Sequence, residues 1–249
     1  MKNLVLGSLF LAALASQTTG CIITSDDGDY ATMNAEWTFR SVNPQGDVSP
    51  PNLCPSGFLT VALHNQEIDS TGRPIGDEII DVFDCDVGRD FTDELPPALY
   101  ETTLLVTSDS GGQVYAESLP QTLDVTIADK TFKTDIIDNG GYFKLSWDLQ
   151  KTATAAPITC SSLAATDGVG VTATLTSNTA IFVPDDFDCV DGEQFSVFTA
   201  PLAKGTYTVA VQPINGASQS IGQTTTLANK TINDRNDVTD LGILVLKVD

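Results

Sequence analysis

Hydrophobic and polar residues alternate along much of the chain after residue 35. Residues 143–149 place apolar side chains at the odd positions and polar ones at the even positions, and residues 171–176 and 207–211 keep a similar alternation. A period of two residues is typical of a strand with one face in a core and the other in solvent. Turn residues, such as Asp-Ser-Gly-Gly at 109–112, separate these runs. The pattern predicts an all-β protein of short strands packed as antiparallel two-sheet sandwiches.

The order of several uncommon residues is repeated after about 100–110 residues, which indicates an internal duplication. The shared landmarks are a Trp, a Phe-Asp-Cys triplet with Gly three residues further on, a Pro-containing turn that ends in Tyr, and a short segment containing Lys-Thr. They stand at Trp37 and Trp147, at 83–85 and 187–189 with Gly88 and Gly192, at 95–100 and 200–207, and at 127–131 and 227–231. The duplication predicts two tandem sandwich repeats.

The two repeats are expected at residues 35–141 and 142–249. Residues 141–149 align with the end of the second copy, and Trp147 also aligns with the Trp that opens the first copy. One strand that serves both repeats and two abutting strands are therefore both compatible with the sequence. A flexible spacer would be rich in Gly and Ser, and none stands here, so we expect a stiff, elongated pair.

Five cysteines are an odd number for an oxidising compartment. Four of them allow three connectivities, and the repeat favours one bridge within each copy, Cys54 with Cys85 and Cys160 with Cys189. Each bridge would close a loop of about 30 residues and stabilise the fold by roughly 3–4 kcal/mol. Cys21 is left over, directly behind an apolar run.

The first twenty residues have the form of a signal peptide. Lys2 precedes an apolar run at 4–15, which is too short for a stable membrane span but suits export. Ala-Leu-Ala at 13–15 offers an ordinary cleavage site. The alternative, Thr-Thr-Gly-Cys at 18–21, resembles a bacterial lipobox and implies lipidation of Cys21. The acidic segment at 21–34 is expected to be a flexible tether.

Acidic residues dominate the charge of the chain. The 33 Asp and Glu outnumber the 12 Lys and Arg, and the net charge is −21. Such a chain repels nucleic acid, which is bound by clustered Lys and Arg, and it also repels anionic headgroups. Membrane attachment is therefore expected through a lipid. The charge itself is explained by solubility in an exposed compartment, or by a surface that gathers cations.

No catalytic, cofactor-binding or metal-binding constellation is expected from the sequence. His64 is the only His, there is no pair of cysteines with zinc-ligand spacing, and no Gly-x-Ser-x-Gly motif occurs. Phe83 and Phe187, before the cysteines, are expected to pack beside the disulfides, or else to serve as exposed ligand platforms. Acidic residues gather around the second Cys of each copy, as solvated loops or as calcium-stiffened ones. They are Asp84, Asp86, Asp90, Asp93 and Glu94 in one copy, and Asp185, Asp186, Asp188, Asp191 and Glu193 in the other.

The strand that follows each Pro-containing turn carries a family resemblance. Leu-Pro-Pro-x-x-Tyr at 95–100 and Pro-x-x-x-Gly-Thr-Tyr-Thr-Val-x-Val at 201–211 resemble the signature of bacterial Ig-like, carboxypeptidase-regulatory-like and transthyretin-like modules. The duplicated pattern resembles envelope lipoproteins of deltaproteobacteria and myxobacteria, whose function is not assigned. The resemblance implies two Ig-like or prealbumin-like sandwiches and a role outside the cytoplasm. It transfers no catalytic residues.

These observations predict a non-catalytic, lipid-anchored protein of the cell envelope that acts as an interaction or structural module. The expected partners are the membrane, through a lipid at Cys21, and another envelope protein or a glycan. Ile22, which follows the cysteine, is not the Asp that retains such lipoproteins in the inner membrane of enteric bacteria, so the outer membrane is expected. The alternative is a carbohydrate- or calcium-binding accessory module of the cell surface.

Overall fold

The computed structural model describes residues 30–108 and 111–249, and nearly all of the regular structure in them is β. The strands of the first half are β1 (Met33–Arg40), β2 (Thr60–Glu67), β3 (Ile79–Asp84), β4 (Arg89–Phe91), β5 (Leu99–Thr107), β6 (Val114–Glu117), β7 (Gln121–Asp124) and β8 (Lys130–Ile137). Those of the second half are β9 (Gly140–Lys151), β10 (Pro157–Ile158), β11 (Gly168–Leu175), β12 (Phe182–Asp188), β13 (Val197–Phe198), β14 (Leu202–Ala203), β15 (Gly205–Ile214), β16 (Gly222–Gln223), β17 (Thr225–Ile232) and β18 (Asp237–Val248). A short helix, α1 (Cys189–Gln194), and two 3-10 turns at Cys85–Val87 and Cys160–Ser162 complete them.

Each half of the chain forms two sheets around its own core. The first half has the sheets β4-β1-β8 and β3-β2-β5-β6, with β7 also paired to β5. The second half has the sheets β10-β9-β18-β16 and β12-β11-β15-β17, with β13 and β14 also paired to β9. Trp37, Tyr100 and Phe132 lie in one core, and Trp147 and Tyr207 lie in the other. The predicted all-β sandwich fold is confirmed.

One strand pair in each half is parallel, which the sequence analysis did not anticipate. β1 runs parallel to β8, with Met33 opposite Lys130, and β9 runs parallel to β18. The chain enters and leaves each sandwich in the same sheet, so its first and last strands lie side by side. The other strand pairs of the described residues are antiparallel.

The first sheet begins earlier than the sequence suggested. Ala31 pairs with Leu95, and the side chain of Met33 is fully buried. Residues 31–34, which the sequence analysis assigned to the tether, thus belong to the first sandwich. The signal segment 1–20, Cys21 and the rest of the tether up to residue 29 lie outside the described residues. Among those described, no helix has the length and apolar character needed to cross a membrane.

The two halves meet at a tight turn between two separate strands. β8 ends at Ile137, β9 begins at Gly140, and only Asp138 and Asn139 lie between them. Two abutting strands are therefore present, not one shared strand. The repeated Lys-Thr segments are not equivalent in space, because Lys130 opens β8 whereas Lys230 lies within β17. That part of the alignment therefore does not mark equivalent positions in the two sandwiches.

The landmark tyrosines make the same contact in both halves. The hydroxyl of Tyr100 donates to the carbonyl of Pro96 at 3.0 Å, and that of Tyr207 donates to the carbonyl of Ala203 at 2.6 Å. Each bond joins a residue to the fourth residue before it and closes the turn into β5 or β15. This contact is the tyrosine corner of Greek-key sandwiches. Burial is the main reason that the pKa of both phenols lies above its ordinary value.

The glycine after each Phe-Asp-Cys triplet is required for a different reason in each half. A Cβ added to Gly192 would lie 2.4 Å from the indole carbon Cη2 of Trp147, so helix α1 can approach the core only through glycine. Gly88 has a φ of 69°, in the left-handed region, and an added Cβ would meet the carbonyl oxygen of Trp37 at an ordinary 3.7 Å.

We expect Gly192→Ala to lower the free energy of unfolding more than Gly88→Ala. Overpacking against Trp147 costs about 1–3 kcal/mol and displaces α1, whereas a left-handed alanine costs about 1–2 kcal/mol. Urea unfolding followed by tryptophan fluorescence measures both. An unfolding midpoint for Gly192→Ala equal to that of the wild type would show that α1 does not press on the indole.

Candidate functional site

The cysteines of each half form one bridge, in the pairing that the repeat predicted. Cys54 is bonded to Cys85, with their Cα atoms 6.1 Å apart, and Cys160 is bonded to Cys189, at 5.6 Å. Cys85 and Cys189 are almost fully buried at the edge of their cores. Cys21 lies outside the described residues, so its lipidation stays a prediction.

The residues before and beside each disulfide hold the core and do not form a ligand platform. The indole N–H of Trp37 donates to the carbonyl of Cys85 at 2.8 Å, and that of Trp147 donates to the carbonyl of Cys189 at 3.0 Å. Phe83 stacks on the Trp37 ring at a centroid distance of 5.8 Å. Phe187 meets the Trp147 ring at 6.2 Å. Both phenylalanines are half-buried against their cores.

The acidic residues near each disulfide diverge, and two of the Asp residues on β3 and β12 turn inward. Glu193 accepts the backbone N–H of Cys160 at 3.0 Å, which ties α1 to the facing loop. Asp84, Asp86 and Asp188 are exposed. In the described part of the chain, no three Asp, Glu, His or Cys side chains converge as metal ligands. The calcium-binding alternative therefore has no ligand set in these residues.

The inward-facing carboxylates are Asp81 on β3 and Asp185 on β12, at the same position of the two repeats. Asp81 accepts the backbone N–H of Asp93 at 3.0 Å, and Asp185 accepts that of Ala200 at 2.5 Å. Each bond links an edge strand of one sheet to the segment that follows β4 or β13 in the other. Asp185 was expected in a solvated or calcium-stiffened loop, but it is half-buried and faces inward, as does the buried Asp81, for which the sequence held no signal.

Burial sets the ionisation of this pair. Loss of hydration is the main reason that the pKa of Asp81 lies above its ordinary value, and the nearby Asp93 carboxylate adds to the effect. The same loss of hydration raises the pKa of Asp185, although the N–H groups of Ala200 and Asp186 oppose the shift. Hydrogen bonds to the charged form thus offset only part of the cost of burying a charge.

We expect Asp185→Asn to gain stability relative to the wild type as the pH rises. A raised pKa in the folded state means that the contribution of Asp185 is complete below its ordinary value of 3.8 and is lost as the pH rises through the folded pKa. Denaturant unfolding at about pH 3 and about pH 7 measures the difference between variant and wild type.

Asp69→Asn is the control of opposite sign. The Thr71 hydroxyl is the main reason that the pKa of Asp69 lies below its ordinary value, so its contribution is present above that value and is lost as the pH falls. The same pH trend in both variants would contradict the assignment.

His64 lies on the outer face of β2. Its Nδ1 is 3.0 Å from Oε2 of Glu78, and its side chain is largely covered. The ring therefore serves as the partner of the exposed Glu78 carboxylate.

The contact between the two halves combines a small buried apolar cluster with a set of hydrogen bonds. Val42, Ile137 and Tyr142 are buried together between the sandwiches, and Leu119 and Phe198 pack against them. We call this group the junction core. Burial and the Asp135 carboxylate raise the pKa of Tyr142 to about 12. The junction core removes apolar surface from water at the point where the chain passes from one sandwich to the other.

Two asparagines complete the junction with pairs of hydrogen bonds. Asn236 accepts the backbone N–H of Ile137 at 2.8 Å and donates to the carbonyl of Glu117 at 2.7 Å. Asn139 accepts from the N–H of Val42 at 2.8 Å and donates to its carbonyl at 3.0 Å. Its own carbonyl accepts the N–H of Lys204 at 2.9 Å. The loop after β17 is thereby fixed to the first sandwich, and the turn after β8 to both.

The loop that carries Asn236 has an unusual backbone. Arg235 and Asn236 both have positive φ, 65° and 60°. Such consecutive left-handed residues are held by their surroundings, since each costs free energy in an isolated chain. The Arg235 N–H donates to the carbonyl of Asp138 at 2.8 Å, and its guanidinium lies 4.9 Å from the ring centroid of Tyr115. The Tyr115 hydroxyl donates to the Asp138 carboxylate.

A cleft of about 360 Å³ opens beside the junction. Lys144, Phe198 and Arg235 line it together with Asn236, and neither Lys144 nor Arg235 forms an ion pair with a described carboxylate. This region could not be recognised from the sequence, because Asn-Asp-Arg-Asn-Asp at 233–237 has the composition of any polar loop. The Asp-Asn-Gly-Gly turn at 138–141 is the one sequence pattern that marks the place where the two halves meet.

We expect Asn236→Ala to loosen the junction and to destabilise the fold by about 1–3 kcal/mol, because it leaves the Ile137 N–H and the Glu117 carbonyl without partners. Hydrogen exchange at the Ile137 amide should become faster, and small-angle scattering should show a broader distribution of dimensions. Asn178→Ala, at an exposed turn where the side chain accepts only the Ala180 N–H, is the matched control. Unchanged exchange at Ile137 would argue against a locked junction.

Comparisons with known proteins give distant structural likenesses. No protein-family model and no curated protein matches the chain. The chain is similar to a leucine-rich repeat protein from Bacteroides thetaiotaomicron at 14% identity and a TM-score of 0.34, over 88% of this chain and 26% of the other. It is similar to the minor pilin of Streptococcus agalactiae at 12% identity and a TM-score of 0.28, over 88% and 97%. The fimbrial anchor protein of Porphyromonas gingivalis matches at 12% and 0.27, over 80% and 83%. At this level of likeness the matches assign neither a function nor a partner.

Proposed function

We propose that this chain is a non-catalytic, lipid-anchored protein of the bacterial cell envelope that presents a rigid pair of sandwiches to another envelope component. The first sandwich of the pair extends from Ala31 to Ile137, and the second extends from Gly140 to Val248. The observation that carries the proposal is the junction, where Asn236 and the junction core join the two sandwiches. A rigid pair keeps its binding surfaces at a fixed spacing, which suits a structural or interaction module and is not needed for two independent solubilising domains.

The contacts of the titratable side chains support an interaction role and not catalysis. In the described part of the chain, the inward-facing carboxylates are each used in a contact between sheets, and the single imidazole is held by Glu78. A net charge of −21 disfavours nucleic acid as a partner. Another envelope protein is therefore the first candidate partner. A glycan is the second, and the cleft beside Phe198 is where it would enter.

The mode of attachment follows from the sequence of the amino-terminal segment. The apolar run at 4–15 supports export, and the unpaired Cys21 after Gly20 supports lipidation. Two or more acyl chains give stable anchoring, whereas one is marginal. The residues up to 29 then form the tether, and the first sandwich begins at Ala31. Ile22 in place of Asp supports sorting to the outer membrane.

We expect Cys21→Ser to release the protein from the membrane fraction and to abolish incorporation of labelled palmitate. In-cell crosslinking followed by mass spectrometry should give a discrete envelope partner for the wild type and lose it in the variant. Ile22→Asp is the matched control, because it keeps the cysteine and should change only the membrane in which the protein is found.

Two results would contradict parts of this proposal. A variant that still sediments with membranes and still carries label would refute anchoring at Cys21. An anchored wild type with no crosslinked protein would refute the protein partner and would direct attention to glycans at the cleft.

A further inference from the structure

The open edges of the sheets differ in how well they are protected against pairing with another strand. An unprotected edge exposes backbone N–H and C=O groups to any extended segment, and proteins usually blunt such edges with short strands, charges, proline or bulges. β4, β6, β7, β10, β13, β14 and β16 have four residues or fewer. The longer edges in the described residues are β3, β8, β12 and β17, together with the free side of β18.

β8, β17 and the free side of β18 each carry a protective feature. On β8, the side-chain amide of Gln121 donates to the Lys133 carbonyl at 2.6 Å. β17 has a register shift against β15 and a left-handed Asn229. β18 has a register shift after Asp240, and the Thr225 hydroxyl lies 3.4 Å from its Val245 carbonyl. These devices bend the edge or occupy its carbonyl groups.

β12 is protected by the residues that face its open side. Pro184 lies in the middle of the strand and has no N–H to donate. Asp186 lies two residues further on, and its carboxylate accepts the hydroxyl of Ser218 at 2.6 Å. A strand added here would lose a donor and would have to displace this contact.

β3 occupies the same place in the first repeat without these devices. Counting back from the cysteine of each Phe-Asp-Cys triplet, Ile80 stands where β12 has Pro184, and Val82 stands where it has Asp186. The Cys85 N–H donates to the Leu59 carbonyl of the neighbouring chain segment at 2.8 Å. Hydrogen-bonded residues alternate along an antiparallel strand, so the backbone groups of Ile80 and Val82 point to the open side.

The open edge of β3 is apolar in its centre and acidic at its ends. Ile80 is 50% exposed and Val82 is 63% exposed. Val82 also continues an apolar row across the outer face of the sheet, opposite Ala62, which is opposite Leu105. Exposed carboxylates flank the strand at both ends, namely Asp77, Glu78, Asp84 and Asp86.

We propose that the edge of β3 binds an extended polypeptide segment that alternates apolar residues and carries Lys or Arg at both ends. Main-chain hydrogen bonds to Ile80 and Val82 would hold the segment as an added strand, and its apolar side chains would cover the row that ends at Val82. The acidic flanks select basic ends. This assignment rests on the proposed function, because it gives the chemistry of the partner of an interaction module.

A second copy of this chain fits the edge poorly. Antiparallel pairing of β3 with its own copy about Asp81 would place Asp77 and Glu78 of one chain beside Asp84 and Asp86 of the other. Like charges directly opposite each other destabilise a strand pair. The charge of the edge therefore favours a basic partner over self-association.

The test uses the full-length chain in detergent and two synthetic peptides. Both have valines that alternate with threonines, and one carries lysines at both ends whereas the other carries glutamates. Fluorescence anisotropy should show binding of the lysine peptide that weakens as salt is added. Hydrogen exchange should slow at the Ile80 and Val82 amides when that peptide is present.

Ile80→Pro transfers the protection of β12 to β3 and should weaken binding of the lysine peptide by about tenfold or more. Proline already occupies the equivalent position in the second repeat, so the strand can accept it. Val82→Asp, which copies Asp186, is the second variant if the first does not fold. Ile127→Ser removes an 87% exposed apolar side chain outside the strands and should leave binding unchanged.

Several outcomes would overturn the proposal. These are no binding of either peptide, equal binding of the glutamate peptide, protection at amides of another edge, and unchanged binding by a folded Ile80→Pro variant. A dimer in sedimentation equilibrium that Ile80→Pro abolishes would identify the occupant as a second copy, which also overturns it. Failure here leaves anchoring at Cys21 untouched, because fractionation and labelling of the Cys21→Ser variant test that function independently.

Discussion

The structure depends on one contact that is made twice, the hydrogen bond from a buried indole to the carbonyl of a bridged cysteine. Trp37 reaches Cys85, and Trp147 reaches Cys189, at 2.8 and 3.0 Å. The indole belongs to the first strand of each sandwich and the cysteine follows an edge strand of the opposite sheet, so the bond and the disulfide together hold the two sheets at a fixed separation. A buried indole N–H without a partner would cost about 1–3 kcal/mol. The stacked phenylalanine and the glycine of α1 are arranged around this contact.

The junction decides what such a pair of sandwiches can do. Two domains joined by a flexible spacer sample many orientations, and binding then costs the entropy of ordering them. Here the Asp138-Asn139 turn is too short to act as a spacer, and Asn236 and the junction core fill the angle between the sandwiches. The surfaces of both repeats are therefore presented in one arrangement, which supports an interaction module better than it supports a solubilising coat.

The two repeats share a scaffold and differ at the corresponding edge. Asp81 and Asp185 tie their sheets together in the same way, so the position is structural in both copies. At the neighbouring outward positions, Pro184 and Asp186 in one repeat are replaced by Ile80 and Val82 in the other. These positions are exposed in both repeats, but only the first repeat lacks the proline and the hydrogen-bonded carboxylate that protect the edge. This difference is the basis for placing a binding edge in the first repeat alone.

Most of the strands, the repeat and the disulfide pairing follow from the sequence alone, because alternation, rare residues and cysteine spacing are local or countable properties. The phenylalanines of the Phe-Asp-Cys triplets could be placed beside the disulfides for the same reason. Three features were visible only in the folded chain: the first and last strands of each sandwich are parallel neighbours, the half-buried Asp185 turns inward, and Asn236 joins the repeats. These facts depend on contacts between residues far apart in the chain, such as Asn236 and Glu117, and no local pattern in either segment encodes the other's position.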